Sequence, residues 1–328
     1  VNEAARPPSI LITIDVEDWF QVENFKSCIP YETWPSCELR VERNTHRLLD
    51  LMDSAELVAP DCRARTKADD RDGTTVLCRP RATFFVLAWI AERIPRLVRE
   101  IQGRGHEIGS HGCTHKPCGA QSTQELWQDL TRSKKILEDI IGGEVAGFRA
   151  PCFSINERIL ERIRDAGYRY DSSYNSFRLH HRYGRLRCGE NGNHTEVLSR
   201  PVEGLYELPV SNLCLGGRSF PWGGGAYFRL IPAGLFRSGV RSILRGRNAY
   251  VMYLHPWEID PEQPRVRGAS PTRRLRHYSN LGKTWPRMKR LVQVFSHCRF
   301  PTCGDYIAAR NAEIEEVSCH RNPIAKSF

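Results

Sequence analysis

The chain has 328 residues, of which 40% are hydrophobic and 26% charged, and its formal net charge is +10. These values exclude a chain disordered throughout and suit one large α/β domain or two small ones, long enough to bury a substantial core. No run approaches the ~20 consecutive apolar residues of a membrane span.

The twelve cysteines include no CxxC pair, so neither a zinc ribbon nor a redox dithiol is indicated. A chain of this length needs no disulfide staples, and most of the thiols read as small buried hydrophobes. Val1 to Ser9 is polar and proline-rich, unlike a secretory signal, which points to a cytoplasmic protein.

In chain order, Ile10–Ile14 is a short β-branched run and reads as a buried strand. The stretch from Val58 to Arg81 is polar and aperiodic and holds Asp69-Asp70-Arg71-Asp72-Gly73; it reads as a surface loop inserted before a second strand, Ala82–Leu87. A helix over Pro95–Gln102 and a weaker strand at Glu107–Gly109 follow. The clearest helix is Thr123–Ile141. Ser122 and Glu125 form a capping box, Leu126, Leu130, Leu137 and Ile141 recur at helical spacing, and Gly142-Gly143 stops it. Strands at Gly147–Arg149 and Tyr168–Tyr170 flank a helix at Glu157–Ala166. Strands at Tyr206–Val210 and Ala249–Leu254, then a helix at Trp285–Phe295, complete the set. This alternation is the rhythm of βα units around a parallel sheet or barrel.

The residues of chemical interest fall at the carboxyl ends of these strands: Asp15 after the first, His111 the third, Arg149 the fourth, Asp171 the fifth and His255 the last. Barrels and open α/β sheets gather active sites at that rim, where the following loops converge. His111 and His115 share one face if the local chain is helical, so two imidazoles can reach one ion. Taken alone, the spacing is a weak signal and fits ordinary core or surface histidines better. Asp15-Val16-Glu17-Asp18 crowds carboxylates at a strand end. It is either a solvated acidic turn or a cation site, with one carboxylate completing a two-His-one-carboxylate set and another left as general base. Arg149 can hold a carboxylate ionised, or be a surface arginine. His255, beside Trp257, suits a general acid, or a packed structural histidine. Trp19, Trp222 and Trp257 are candidates for stacking on sugar rings, against the commoner core role. Arg265 to Arg290 is rich in cations and reads as a solvated helical face plus loops. The chain shows no nucleic-acid reading motif, so no nucleic-acid partner is expected.

From about Ile10 to His255, the order of these motifs resembles the polysaccharide deacetylase family, the NodB-homology, carbohydrate esterase family 4 group. Asp15-Val16-Glu17-Asp18-Trp19, the run Gly223–Arg229 and Arg276-His277-Tyr278-Ser279-Asn280-Leu281 resemble a subgroup associated with bacterial exopolysaccharide export systems. The resemblance implies an α/β fold, a distorted (β/α) barrel of about seven parallel strands with its active site at their C-terminal rim. It implies a catalytic domain over residues 1–260, with the insertion at 58–81, and a basic extension over 261–328 that packs on the barrel and ends in a disordered tail.

The activity implied is removal of N-acetyl groups from a polysaccharide or oligosaccharide of N-acetylhexosamine, in exopolysaccharide biosynthesis, in the cytoplasm or beside a membrane export assembly. His111 and His115 would bind a divalent metal, zinc first, with cobalt, manganese or nickel as alternatives. Asp15 would be the base that takes the proton of the attacking water, and Arg149 would orient it. His255 would protonate the leaving amine, with Asp171 tuning it. The family's common first motif has a second, adjacent Asp as metal ligand. Val16 stands there in this chain, so that role passes to Glu17, with Asp18 as alternative. Cys152 stands where many members have Tyr, at a position whose backbone N–H helps hold the oxyanion. Two other readings stay open: a metal-dependent amidohydrolase of cyclic amides or imides on the same fold, and a catalytically inactive glycan-binding protein.

Overall fold

A computed structural model describes residues 7–58, 79–177, 184, 186 and 197–321. The first strand, β1 (Ser9–Val16), is buried along its whole length, as expected of a β-branched run covered on both faces. Helix α1 (Val41–Ser54) follows and packs Val41, Leu48, Leu49 and Met52 inward. β2 (Ala82–Val86) leads through α2 (Ala88–Arg93) and α3 (Pro95–Gly103) to β3 (Glu107–Ser110). Helix α4 (Thr123–Ile141) starts on the Ser122–Glu125 capping box and stops at Gly142, whose φ of +65° suits glycine.

β4 (Gly147–Phe148), α5 (Glu157–Asp165) and β5 (Tyr170–Asp171) continue the alternation. After them come β6 (Ser199–Val202), β7 (Leu205–Glu207) and a hairpin of β8 (Asn212–Leu215) and β9 (Arg218–Pro221). Helices α6 (Gly225–Leu230) and α7 (Ala233–Arg247) then lead to β10 (Ala249–Leu254), and α8 (Pro271–Tyr278), α9 (Leu281–Val294) and α10 (Cys303–Arg321) close the chain.

One sheet organises the molecule, in the order β10-β1-β2-β3-β4-β5-β7-β6. The strands from β10 to β7 pair in parallel, and β6 lies antiparallel on β7. The expected barrel is therefore a curled half-barrel with seven parallel strands and two ends, β10 and β6.

Several helices were not apparent from local sequence. Helix α1 has no side-chain cap of its own at Arg40. Its first N–H groups, from Arg40 and Val41, are taken by the Asp18 carboxylate at 2.6 and 2.8 Å, from more than twenty residues away. Helix α7 carries Gly234, Gly239 and Gly246, which weaken helical propensity. Gly239 sits against the Trp222 indole, where a Cβ would come within 2.3 Å of the ring.

The chain beyond residue 260 is built into the same core as β1: Leu281, Met288, Leu291, Val292 and Phe295 cluster with Ile10, Ile12 and Ile14. The start of α10 docks at the sheet, where Cys303 N donates to Thr83 Oγ1 at 2.8 Å and Gly304 N to Glu107 Oε2 at 3.0 Å. Most of the 58–81 insertion and the last seven residues lie outside the described residues. No helix among the described residues is long and apolar enough to cross a membrane.

Candidate active site

Parallel pairing aligns the carboxyl ends of β10, β1, β2, β3 and β4, with Asp15 opposite Phe85 and Ser110 opposite Phe148. Side chains just past those ends therefore meet over one rim. A cavity of about 130 Å³ there is lined by Asp15, Glu17, His111, His115 and His255 among others.

Arg149 is wholly buried and fixes Asp15. Its Nη1 donates to Asp15 Oδ1 at 2.8 Å and to Thr13 Oγ1 at 2.6 Å, and its other nitrogens donate to the Ser172 carbonyl and hydroxyl, both at 2.8 Å. The guanidinium also lies 4.3 Å from the centre of the Phe85 ring. Asp15 Oδ2 then stands 3.8 Å from His255 Nε2.

His111 Nδ1 lies 2.7 Å from the Arg149 carbonyl. A carbonyl only accepts, so Nδ1 carries the proton and Nε2 keeps its lone pair. Burial pushes the His111 pKa down to about 4, which keeps the ring neutral.

His111 and His115 do not lie on a helix, as their spacing had suggested. The chain turns through Gly112 at φ +75° and His115 at φ +56°, bringing the ring centres to 5.3 Å. Asp129 pins the turn by accepting from Cys113 N at 3.0 Å, and a Cβ on Gly112 would meet the same carboxylate at 2.7 Å.

Glu17 stands among the histidines, with Oε2 2.8 Å from His115 Nε2 and Oε1 3.1 Å from His255 Nε2. Burial opposes its charge, but the neighbouring His115 and His255 outweigh that and hold the carboxyl at about 2. Despite the close His115 nitrogen, Oε2 receives no well-directed hydrogen bond among the described residues. Buried acceptors rarely stay without a partner, and a shared cation would supply one to Oε2 and the imidazole nitrogens together. One ligand atom each from Glu17, His111 and His115 lies within 4.8 Å of the others. This donor set, two neutral-capable imidazoles and a carboxylate, fits a divalent cation with positions left for water or substrate.

Asp18, the alternative ligand, is turned away. Its oxygens accept from the backbone N–H groups of Trp19, Arg40 and Val41 at 2.6 to 2.8 Å, so it is committed to holding the start of α1. Asp171 is also not where the resemblance put it. It accepts from Ser173 N and Oγ at 3.0 and 2.7 Å, while Ser173 Oγ accepts from Ala150 N at 2.8 Å. It therefore braces the backbone leading into Pro151-Cys152, and burial raises its pKa.

The carboxylate at His255 Nδ1 belongs to Glu258, with Oε1 2.7 Å away. Its Oε2 accepts from Arg229 Nε at 2.9 Å, and Arg229 Nη1 donates to the His277 and Ser279 carbonyls at 2.7 and 2.8 Å. Burial alone would lower the His255 pKa, but Glu17, Glu258 and Asp15 together raise it to about 9. The sequence held a usable signal here: His255-Pro256-Trp257-Glu258 has capping-box spacing with proline in the first turn.

Of the aromatic candidates, Trp257 lines the cavity and stacks on His255 at 5.1 Å between ring centres. Trp19 and Trp222 do not line it. Trp19 Nε1 donates to the Glu38 carbonyl and its ring meets Phe20 edge-on, while Trp222 Nε1 donates to the Phe236 carbonyl and stacks on that ring. Both are core residues with their one polar atom satisfied. Cys152 lines the cavity from a turn where its φ is +58°.

Comparison with known proteins relates part of the chain to a family. Residues 79–170 match the model of the polysaccharide deacetylases, and residues 172–307 match a domain of unknown function (DUF3473). A peptidoglycan-N-acetylglucosamine deacetylase of Bacillus cereus is 33% identical over 90 residues, and a chitooligosaccharide deacetylase of Azorhizobium caulinodans is 34% identical over 89 residues. Each match covers 27% of this chain and 42% of the relative, so the chain matches less than half the length of these relatives. A solved Mycobacterium smegmatis structure assigned to the polysaccharide deacetylases superposes with a TM-score of 0.59 at 17% identity, covering 95% of this chain and 93% of the other. The fold is the NodB-like curled (β/α) sheet. Residues 79–170 are thus similar to the polysaccharide deacetylase domain, the NodB-homology, carbohydrate esterase family 4 type.

Proposed function

We propose that the chain removes acetyl groups from an N-acetylhexosamine glycan by metal-assisted hydrolysis. The observation that carries this reading is the meeting, in one cavity, of the Glu17–His111–His115 donor set with Asp15 and His255, each held from behind by a buried partner, Arg149 and Glu258. The relatives named as N-acetylglucosamine and chitooligosaccharide deacetylases support the substrate class. The DUF3473 match is consistent with the exopolysaccharide role suggested by the sequence motifs.

Glu17, His111 and His115 would hold the ion; zinc suits this donor set first, and cobalt, manganese or nickel also suit it. Such an ion supplies Lewis acidity, which makes water a better nucleophile near neutral pH and polarises the acetamide carbonyl. Asp15 accepts the proton of the attacking water, held in place by the buried Arg149 fork. The backbone at Cys152, braced through Ser173 and Asp171, forms the wall against which the developing oxyanion rests. His255 donates its Nε2 proton to the departing sugar amine, its ring set by Glu258 at Nδ1. Trp257 backs that ring and keeps water from it.

The test is acetate release from a panel of N-acetylated glycans, with cyclic amides in parallel, before and after chelation and readdition of zinc. Release from the glycans alone, lost on chelation and regained with metal, is expected. Turnover only of the cyclic amides, or no turnover of any substrate by fully metallated protein, defeats the reading.

A further inference from the structure

We propose that Arg276 makes an anionic-sugar subsite beside the reaction centre, so that the glycan carries an acidic unit, carboxylate or phosphate, next to the residue that loses its acetyl group. This rests on the deacetylase reading of the cavity and adds the substrate's charge to it.

Between Glu262 and Asp305 the chain has ten Lys and Arg residues and no Asp or Glu, a charge as large as the net charge of the whole chain. Five of these, Arg265, Arg267, Arg273, Arg274 and Arg276, are exposed and fall within twelve residues on and just before α8. A solvated helical face would explain them if they lay anywhere on the surface. Their position argues for more, because Arg276 lines the same cavity as His111, His115 and His255.

The mount is rigid. His277, the next residue, is buried, stacks on Trp257 at 4.2 Å between ring centres and packs against Phe25 at 4.5 Å. Its Nε2 lies 2.7 Å from Gln263 Oε1. Trp257 in turn stacks on His255. The backbone that carries Arg276 is thus held beside His277, the second ring out from His255, the proposed proton donor.

Besides Asp15 and Glu17, the cavity wall carries the Glu23 carboxylate; five exposed cations against it leave an excess of positive charge that an anionic ligand would neutralise. The chemistry of the product points the same way. A polymer of N-acetylhexosamine alone gains ammonium groups as it is deacetylated, and a guanidinium at the cavity wall would repel it. An acidic neighbour restores attraction, and the guanidinium fork matches carboxylate or phosphate in two-point geometry.

Calorimetric titration of the intact protein decides the matter, because it reads binding separately from turnover. The ligands are a chitooligosaccharide, an equal-length oligomer alternating N-acetylglucosamine with glucuronic acid, and a 6-O-phosphorylated chitooligosaccharide. At about 50 mM salt, where screening is weak, at least one acidic ligand should bind about tenfold tighter than the neutral one. Which acidic ligand is preferred separates carboxylate from phosphate. Arg276→Gln should bring the affinities together, and the double change R273Q/R274Q should weaken the salt dependence of acidic-ligand binding. Equal affinities in the parent protein, or a preference that survives Arg276→Gln, overturns the proposal. So does binding to phosphatidylglycerol vesicles without binding to either acidic oligosaccharide, which would assign the arginines to a lipid surface. Charge-selective binding without acetate release would instead remove the deacetylase reading and leave the subsite standing.

Discussion

Glu258 Oε1 lies 2.7 Å from His255 Nδ1, so the imidazole presents its other nitrogen, Nε2, to the cavity. Glu258 touches no reacting atom in the proposed chemistry and acts by positioning His255. Its second oxygen neutralises Arg229, and both residues are 1% exposed. Glu258→Gln therefore does two things. It releases the ring, which should lower kcat by about 10- to 100-fold. It also leaves a buried guanidinium without its counter-charge, which should destabilise the fold by about 3 kcal/mol. Steady-state acetate release below the unfolding transition reads the first effect, and urea denaturation reads the second. An unchanged kcat in the folded variant would remove Glu258 from this role.

Arg149 and Asp15 form the second buried pair, and their separation in sequence makes the pair a tie across the sheet. Arg149→Met keeps much of the volume but strands the Asp15 carboxylate and removes the donors to Thr13 and Ser172. A loss of about 3 to 5 kcal/mol is expected, visible as a lower denaturant midpoint with similar slope. The double change of Arg149→Met with Asp15→Asn should recover part of that loss, since no charge is then left unpaired. A double variant no more stable than the single one would show that the pair is not coupled.

Glu17 and Asp18 are adjacent and have opposite fates, which metal content can distinguish. Glu17→Gln removes the proposed anionic ligand and should lower the bound-metal stoichiometry measured by elemental analysis after dialysis. Asp18→Asn should keep metal and lose about 1 to 2 kcal/mol of stability, because an amide accepts poorly from three backbone N–H groups at once. Loss of metal in Asp18→Asn with retention in Glu17→Gln would reverse the assignment.

That choice between neighbours marks the limit of what the sequence could say. The strand ends were legible because burial on both faces writes itself as an apolar run, and parallel order then aligns Asp15, His111, Arg149 and His255. Helix α4 was legible to the residue because its cap and stop are both local. Helix α1 was not, because its cap is supplied by Asp18 from another part of the chain. Distance in sequence likewise hid what Asp171 does. A carboxylate at a strand end resembles a catalytic partner, and only the fold reveals that Ser173 and Ala150 use it. Trp19 and Trp222 look the same in sequence as Trp257, and what separates them is the direction of each ring.

His106 provides a pH test away from the site. It packs against Phe84 at 5.2 Å between ring centres and accepts from Ala82 N at Nδ1, 3.2 Å away, while Nε2 has no partner among the described residues. Burial pushes its pKa from 6.5 down to about 4; Asp53 pulls the other way, and Arg104 and Arg81 add to the fall. The folded pKa lies below the unfolded one, so the unfolded chain takes up the proton first as pH drops. The stability that the neutral ring allows is complete above pH 6.5 and is lost between there and about 4. The loss from this one group approaches about 3 kcal/mol at the acid end of the window. Other groups titrate over the same range, so the informative quantity is the difference from His106→Asn, whose side-chain oxygen can still accept from Ala82 N. Urea midpoints for the two proteins should diverge as pH rises through that window, with the parent gaining more. Parallel curves would mean that His106 titrates alike in the folded and unfolded chains, and that its burial carries no such penalty.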